Sequence, residues 1–534
     1  MRHSKNSAEH SNGLLANMAV RYSASAGFPS SGIAFLVLTT VISLLWSSYQ
    51  PMSSDEFLSL WTDRLPSIAQ IIKVQRMYPL SVDPLVFHVI SHAAIRVFGA
   101  GAFAMRLPSL IGFLVMQISL FIFVRRVTNV KAAVFALAFP ALTVALFYSL
   151  DGRPYGLMLG FYALAMVSWQ AATRRESHRI LPLITLALAG ALTVNVHYFG
   201  ILLFAPLCIA ELFRTLQRRR LDFPLMASIA GGAASVVCIL PFAKAAREFR
   251  PHYCCANLTP HLIPEVYSEM FRFRFHGLRS ETIFAAFFTV AALVVLWCSF
   301  LQMCRRSVLL PEAEAVFLIV LAALPFFGYG LAVFATDVLE PRYVVCAVIG
   351  ITALLAVGMS SVFSRDGFSN VILIVLFSAV TLAGIRHIYI ARKSATGTMA
   401  TLNMSPAIKA AIISSPSGKL YFQDADYFAF ACFYEPDRTI SSRFVLVYSK
   451  EQELRWVHTD LTSLTALHMR NFTNFTIEPY DSVAAQAGEF IFAIHRDPGW
   501  DWTDKALANA HAKVRSIGSA FDIDVVSVQF LPKP

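Results

Sequence analysis

The residues best suited to chemistry in this sequence are carboxylates, arginines and a histidine that recur where apolar runs end. Asp55 and Glu56 stand side by side shortly after the first such run, and Asp83 follows in the same polar stretch. Asp151 with Arg153, His197 with Tyr198, and Asp337, Glu340, Arg342 and Tyr343 occupy later run ends. A carboxylate can take a proton from an attacking hydroxyl, and an arginine can clamp a phosphate through two parallel hydrogen bonds. Each residue also has a plainer use. An acidic pair caps a helix, a histidine satisfies a helix end, and an arginine beside a tyrosine anchors a membrane interface. The chemical use requires that they all share one side of the membrane.

The elements that must position them are membrane spans. The 534 residues are 56% hydrophobic and 14% charged, with a mean hydropathy of +0.59. Soluble domains hold about 45–50% apolar and about 25% charged residues. Runs of roughly 20 apolar residues, enough for a hydrocarbon core of about 30 Å, recur along the chain, so a polytopic α-helical membrane protein in a lipid bilayer is expected. The net charge of +11 sits largely in short arginine clusters between those runs. That is a topology signal, and no nucleic-acid partner is expected. Eight cysteines without a CxxC pair argue against structural zinc and against a disulfide framework. Cys254-Cys255 reads as ordinary loop cysteines.

Arg2, Lys5 and Arg21 place the polar tail 1–30 inside, with the first span, about 31–49, retained as a signal anchor. Further spans are expected at about 103–124, 131–149, 155–174, 180–195 and 200–214. Five more follow: about 224–242, 281–304, 313–335, 343–365 and 370–389. Arginine clusters at 125–126, 174–175, 214–220 and 305–306, and Arg365, fall on alternate loops. About eleven spans result, forming a core over 31–392. Its first external loop, about 50–102, holds the helix-like segment Phe57–Val74. It also holds Leu85–Phe98, which is too short and polar for a span and suits an interfacial or re-entrant helix. A second external loop covers about 243–281. Asp55, Glu56, Asp83, Asp151, Arg153, His197, Asp337, Glu340 and Arg342 then all lie on the outer face.

Residues 393–534 change character. Apolar runs shrink to strand length at 443–448 and 489–494, a helix-like segment covers 502–520, and a last strand covers 525–530. A small external soluble α/β domain is expected. Its aromatic residues Tyr421, Phe422, Tyr427, Phe428, Trp500 and Trp502 suit core packing better than a sugar-binding face. Asn257, Asn471 and Asn474 open glycosylation sequons that matter only in a eukaryotic host.

Several pieces resemble, in order, the C-type membrane glycosyltransferases that use polyprenyl-phosphate sugars. These include protein O-mannosyltransferases, lipid A aminoarabinose transferase and the rhizobial lipopolysaccharide-core galacturonosyltransferases. The pieces are Asp55-Glu56; Asp83-Pro84-Leu85; Phe98-Gly99 with Phe103-Ala104-Met105-Arg106-Leu107-Pro108-Ser109; Gly152-Arg153-Pro154-Tyr155-Gly156-Leu157; His197-Tyr198-Phe199-Gly200; and Pro341-Arg342-Tyr343. They span residues from about 50 to 350. Many relatives carry His-Pro-Pro where this chain has Val82-Asp83-Pro84, a departure that leaves sugar identity and metal use open.

The resemblance implies inverting transfer of a hexosyl or pentosyl group from a polyprenyl-phosphate-sugar donor to a glycan, lipid or protein acceptor of the cell envelope. Asp55 would be the general base, with Glu56 or Asp83 orienting the acceptor or, for Asp55 and Asp83, holding a divalent cation. Arg153 beside Tyr155 and Arg342 beside Tyr343 would contact the phosphate, Lys244 or Arg247 would be a further phosphate contact, and His197 with Tyr198 would bond phosphate or sugar. A nucleotide-sugar donor would call for a large cytosolic domain, which the topology lacks. A transporter or flippase would place its polar groups near the midplane of repeated halves, and no repeat is present. A non-catalytic scaffold is the remaining alternative, separable by its tolerance of a change at Asp55. The compact loops suit a bacterial inner membrane, with the N-terminus cytoplasmic and the C-terminal domain periplasmic.

Overall fold

A computed structural model describes residues 28–174, 178–249, 252, 258–271, 310–360, 363, 366–402, 404–486, 488–495, 501–520 and 523–530. Among them, five helices are long and apolar enough to cross a bilayer: Ser30–Tyr49, Ala102–Arg125, Tyr198–Arg218, Phe223–Phe249 and Gly367–Ser394. The pair Glu312–Ala322 and Leu324–Thr336, bent by 52°, would make a sixth. Val130–Leu142, Ile180–Val196 and Ala347–Gly358 are apolar but shorter. Among the described residues helices thus stand at ten of the eleven expected spans, and five or six of them are both long and apolar enough to cross. The eighth expected span and Cys254-Cys255 lie outside the described residues.

The helices Ala102–Arg125 and Tyr155–Arg174 cross closely, and glycine allows it. A Cβ placed on Gly112 would lie 2.2 Å from the Gly156 carbonyl oxygen, so the backbones touch where any side chain would part them. This crossing fixes the loop that carries Asp151, Gly152 and Arg153 against the helix that carries Arg106.

The first polar loop folds into three helices, Ser54–Asp63, Ile68–Met77 and Leu85–Phe98. The continuous helix expected over 57–74 is broken at Leu65-Pro66-Ser67. Proline disfavours helix at the residue before it, and the Ser67 hydroxyl caps a new helix by accepting from Gln70 N at 3.3 Å.

The C-terminal portion is a six-stranded sheet in the order β3-β2-β1-β4-β6-β5. Its strands are β1 Leu420–Phe422, β2 Phe444–Tyr448, β3 Thr476–Pro479, β4 Gly488–His495, β5 Lys513–Ala520 and β6 Ile523–Phe530. The first four are parallel, and β6 and β5 add antiparallel. The helix expected over 502–520 is corrected. It spans only Thr503–Asn509, His511 turns the chain at φ 51°, and residues 513–520 pair with β6 instead. Side chains alternate between two cores. Tyr421, Val445, Val447, Phe490 and Phe492 pack with Tyr480 and Trp502. On the other face Leu420, Phe422, Phe444, Leu446 and Ile491 pack with Phe428 and continue into Phe57, Leu60 and Met105 of the membrane portion. Tyr421, Phe422, Phe428 and Trp502 are therefore core residues, as expected; Trp500 lies outside the described residues. Phe57 alone meets Phe430, Phe433 and Tyr434 at 5.4–5.7 Å, which seats the sheet portion on the helix that bears Asp55.

Candidate functional site

Asp55 and Glu56 begin the same helix and face opposite fates. Ser53 and Glu56 form a capping box: the Ser53 hydroxyl accepts from Glu56 N at 3.3 Å, and Glu56 Oε2 accepts from Ser53 N at 2.7 Å. The same carboxylate, 1% exposed, receives Arg106 Nε at 2.6 Å and Arg106 Nη2 at 2.7 Å, and Gly152 N donates to its Oε1 at 2.8 Å. Arg106 spends its remaining donors on the carbonyls of Ser47, Gln50 and Pro51. Glu56 is thus the rivet joining the end of the first span, the capped helix and the Arg153 loop. Arg106 was visible in the sequence only as part of a motif, because its partner lies 50 residues away.

Asp55, one position earlier on the helix, points elsewhere. Its side chain is 39% exposed, and Arg342 Nη1 donates to its Oδ2 at 3.0 Å. Arg153 approaches the same helix from the Gly152 loop, its Nη1 donating to Asp55 O, Ser59 Oγ and Ser81 Oγ at 3.0–3.3 Å. Its Nη2 meets Asp83 Oδ2 at 3.0 Å, and Ser81 Oγ donates to that same oxygen. Burial acts to raise the Asp83 carboxyl, but Arg153, His197, His88 and Ser81 outweigh it and hold the carboxyl below its usual range. Asp83 is a carboxylate that orients Arg153. The Nε–H groups of Arg153 and Arg342 are buried and have no hydrogen-bond partner among the described residues. Arg342 on the Asp55 carboxylate and Arg153 on the Asp55 backbone carbonyl, each with an unmet donor, form a place where an anion with several oxygens would be well held.

Asp151 lies next to this group. Burial, then the nearby Glu56 and Asp55 carboxylates, push its carboxyl up to about 8 against the pull of Arg153 and Arg106. Its surroundings thus favour the protonated form over the carboxylate.

His197 is buried behind Tyr343. Its Nδ1 accepts from Phe199 N at 3.2 Å, which assigns the ring proton to Nε2. Burial holds the ring down at about 4 although Asp83 pulls the other way, so it is a neutral donor. Tyr155 and Tyr343 lie at 5.3 and 5.2 Å from it, and Phe199 packs on Tyr343 at 4.8 Å. The Arg342 guanidinium sits 5.9 Å from the Tyr155 ring and 5.7 Å from that of Tyr343.

These groups open on a cleft of about 620 Å³, lined by Asp55, Ser81, Arg153, Arg342 and Tyr343 on the membrane side and by Asp424, Asp426 and Tyr427 of the sheet portion. The volume falls in the range of about 300–1,000 Å³ typical of small-molecule sites. Tyr198 is half-buried beside His197 and does not line the cleft; Lys244 and Arg247 are exposed on the Val236–Phe249 helix, which reaches the cleft through Phe249. Asp337 and Glu340 also lie outside the lining. Asp424 and Asp426 escaped sequence reasoning because only tertiary docking brings them opposite Asp55. No group of three or more His, Cys, Asp or Glu side chains among the described residues is arranged to hold a metal ion. Asp55 and Asp83 are engaged by different arginines, so the donor set does not suit a shared divalent cation.

Residues 82–243 match the family model described as dolichyl-phosphate-mannose-protein mannosyltransferase, a stretch that includes Asp83, Arg106, Asp151, Arg153 and His197. The fold is similar to that of the crystal structure of ArnT from Cupriavidus metallidurans bound to undecaprenyl phosphate. The TM-score is 0.60 at 13% identity, covering 93% of this chain and 98% of the other. The apo form of the same enzyme gives a TM-score of 0.56 at 14% identity over the same shares. No curated protein sequence matches the chain. The resemblance to the C-type membrane glycosyltransferases thus rests on a sequence-family match over part of the chain and on the fold of nearly all of it.

Proposed function

We propose that this membrane protein is a glycosyltransferase that moves a sugar from a polyprenyl-phosphate donor to a hydroxyl of an envelope acceptor, with inversion and with Asp55 as general base. The observation that carries the reading is the half-exposed Asp55 carboxylate paired with Arg342, with Arg153 bonded to the Asp55 backbone carbonyl, each arginine keeping an unpaired buried Nε–H. The family match and the shared fold agree with it.

The donor phosphate binds between the two arginines, and its arrival gives Arg342 an alternative to Asp55. Once Arg342 turns to the phosphate, Asp55 is free to accept a proton. The acceptor oxygen attacks the anomeric carbon, the bond from that carbon to the phosphate oxygen breaks, and the acceptor proton passes to Asp55. The products are a glycoside of inverted configuration and polyprenyl phosphate. Charge growing on the departing phosphate is met by Arg153, kept in place by Asp83, and by Arg342. The Tyr343 ring borders the sugar, backed by the buried His197 and Tyr155. Stabilising groups of this kind typically contribute about 10²–10³-fold in rate, and a positioned base about 10²–10⁴-fold. Glu56 takes no part in proton transfer; it holds the frame.

The lipid tail stays in the bilayer while its head group meets the outer face. The chain is assigned to a bacterial inner membrane, with residues 1–30 cytoplasmic and the domain 393–534 periplasmic. Asp55→Asn tests the reading: transfer from the native lipid-linked donor should be lost while the protein remains inserted and folded. Near-normal turnover in that variant would overturn the base assignment.

A further inference from the structure

A second recess, of about 230 Å³, lies between the first span Ser30–Tyr49, the span Gly367–Ser394 and residues 141–147. Gly367–Ser394 contributes Ala383, His387, Ile390, Ala391 and Ser394, which share one helix face. The other walls include Trp46, Leu142 and Phe147. Trp46 stacks on His387 at 4.3 Å, and Phe147 lies 6.3 Å from Trp46. Further from the cleft the seam between the two spans is shut. Phe35 meets Phe377 at 5.3 Å, and a Cβ on Gly384 would lie 2.4 Å from Ile42 Cδ1. The missing side chain lets Ile42 close the seam one turn before Trp46, so the recess occupies its outer end.

The recess adjoins the cleft, for Gln50 and Ser394 line both. The Gln50 carbonyl accepts from Arg106 Nη1 at 2.8 Å, which ties the junction to the frame around Glu56. The two spaces differ in chemistry. Arg153 and Arg342 line the cleft, whereas the recess is walled mostly by hydrocarbon and aromatic side chains. Its Thr143 hydroxyl is already engaged, donating to Pro140 O at 2.8 Å and accepting from Ala145 N at 3.2 Å. Val144 and Phe147 are partly buried and Ile390 is 36% exposed, so among the described residues the recess keeps an open edge at the level of the spans. A ligand that fills both spaces carries an anion at one end and a hydrocarbon chain at the other.

We infer that the recess between the spans Ser30–Tyr49 and Gly367–Ser394 is the groove for the head-proximal part of the donor's polyprenyl chain, which enters the cleft past Gln50 and Ser394. The inference rests on the proposed function for the identity of that lipid. The phosphate and sugar stay with the arginines, and the first prenyl units lie against Trp46, Leu142 and Phe147. The bilayer is itself apolar, so the groove gains by packing and by fixing the chain's direction rather than by removing it from water.

The test uses the full chain in two arms. In the first, Ala383→Trp fills the recess, and Ile385→Trp, at a position 59% exposed on the same helix, is the control. Native mass spectrometry measures binding of undecaprenyl phosphate and of dimethylallyl phosphate, which keeps the phosphate and a single prenyl unit. Overpacking should weaken undecaprenyl phosphate binding about tenfold in Ala383→Trp, with Ile385→Trp like wild type and dimethylallyl phosphate held alike by all three. In the second arm Ile390→p-benzoylphenylalanine is irradiated in membrane vesicles of the host, where it should crosslink to a polyprenyl phosphate or its glycosylated form. This arm fills nothing and decides the matter even if Ala383→Trp does not fold. Equal undecaprenyl phosphate binding by all three chains, or crosslinks only to phospholipid or to an acceptor lipid, would overturn the groove even if Asp55-dependent transfer is observed. A chain that holds the polyprenyl lipid in the recess and transfers no sugar would instead count against the proposed function alone.

Discussion

Replacing Glu56 by glutamine should damage the fold far more than replacing its neighbour Asp55 by asparagine. The Glu56 carboxylate accepts from Ser53 N, Gly152 N, Arg106 Nε and Arg106 Nη2 at 2.6–2.8 Å. Glutamine keeps the shape but turns an NH₂ group toward one of these donors, so donor faces donor. Stripping the partner from a buried ion pair costs about 3–5 kcal/mol. Arg106 keeps the carbonyls of Ser47, Gln50 and Pro51 at 2.8–3.0 Å, which favours the lower end. Weakening the capping box adds about 0.5–1 kcal/mol, for a total of about 3–4 kcal/mol. The Asp55–Arg342 pair is more than a third exposed on both sides, and pairs of that kind contribute about 0–1 kcal/mol. Thermal unfolding of the purified full chain in detergent, followed by tryptophan fluorescence, separates the two. Glu56→Gln should melt several degrees below wild type and Asp55→Asn close to it. A Glu56→Gln protein as stable as wild type would refute the assignment of this carboxylate as the rivet of the site.

Arg342→Ala should lower turnover by about 10²–10³-fold, the usual cost of removing a charge-stabilising donor, with Arg342→Lys recovering only part; initial rates against donor concentration measure both. Asp83→Asn removes the anion that orients Arg153 at 3.0 Å and should raise the donor KM as well as lower turnover, whereas an unchanged donor KM would detach Asp83 from phosphate binding. His197 gives a pH dependence. Its folded pKa of about 4 lies below the value of about 6.5 in an unfolded chain, so between these the unfolded state binds more protons. The associated stability, on the order of 3 kcal/mol, is complete above pH ~6.5 and declines as pH falls through 4. Melting curves across that window should show this decline, and His197→Phe should flatten it.

The membrane class and the helix positions were legible in the long apolar runs, and the clustering of Asp55, Asp83, Arg153, His197 and Arg342 in their recurrence at the ends of those runs. Periodicity and composition act locally, and topology then needs only their signs. Three features were not legible. The framing role of Glu56, read from the sequence as orienting the acceptor, was not legible, since a one-residue step on a helix decides which carboxylate meets Arg106 and which meets the cleft. The break at Leu65-Pro66 was masked by helix-forming neighbours. Strand β5 was read as helix because pairing with β6, a tertiary contact, overrides the local preference of residues 513–520. The sheet portion's share of the cleft, through Asp426, Glu453 and Trp502, depends on docking over Phe57 and leaves no pattern in the sequence.

The most direct measurement is mass spectrometry of envelope glycans and lipid-linked sugars in the host lacking this gene, complemented with the wild-type or the Asp55→Asn chain. The deletion should remove one sugar from an envelope glycan and accumulate the corresponding polyprenyl-phosphate sugar. Wild type should restore the glycan, and Asp55→Asn, present in the membrane at normal level, should leave the defect in place. Restoration by Asp55→Asn, or a deletion that changes neither the glycan nor the lipid-linked pool, would contradict the assignment of Asp55 as the base of a lipid-linked glycosyl transfer.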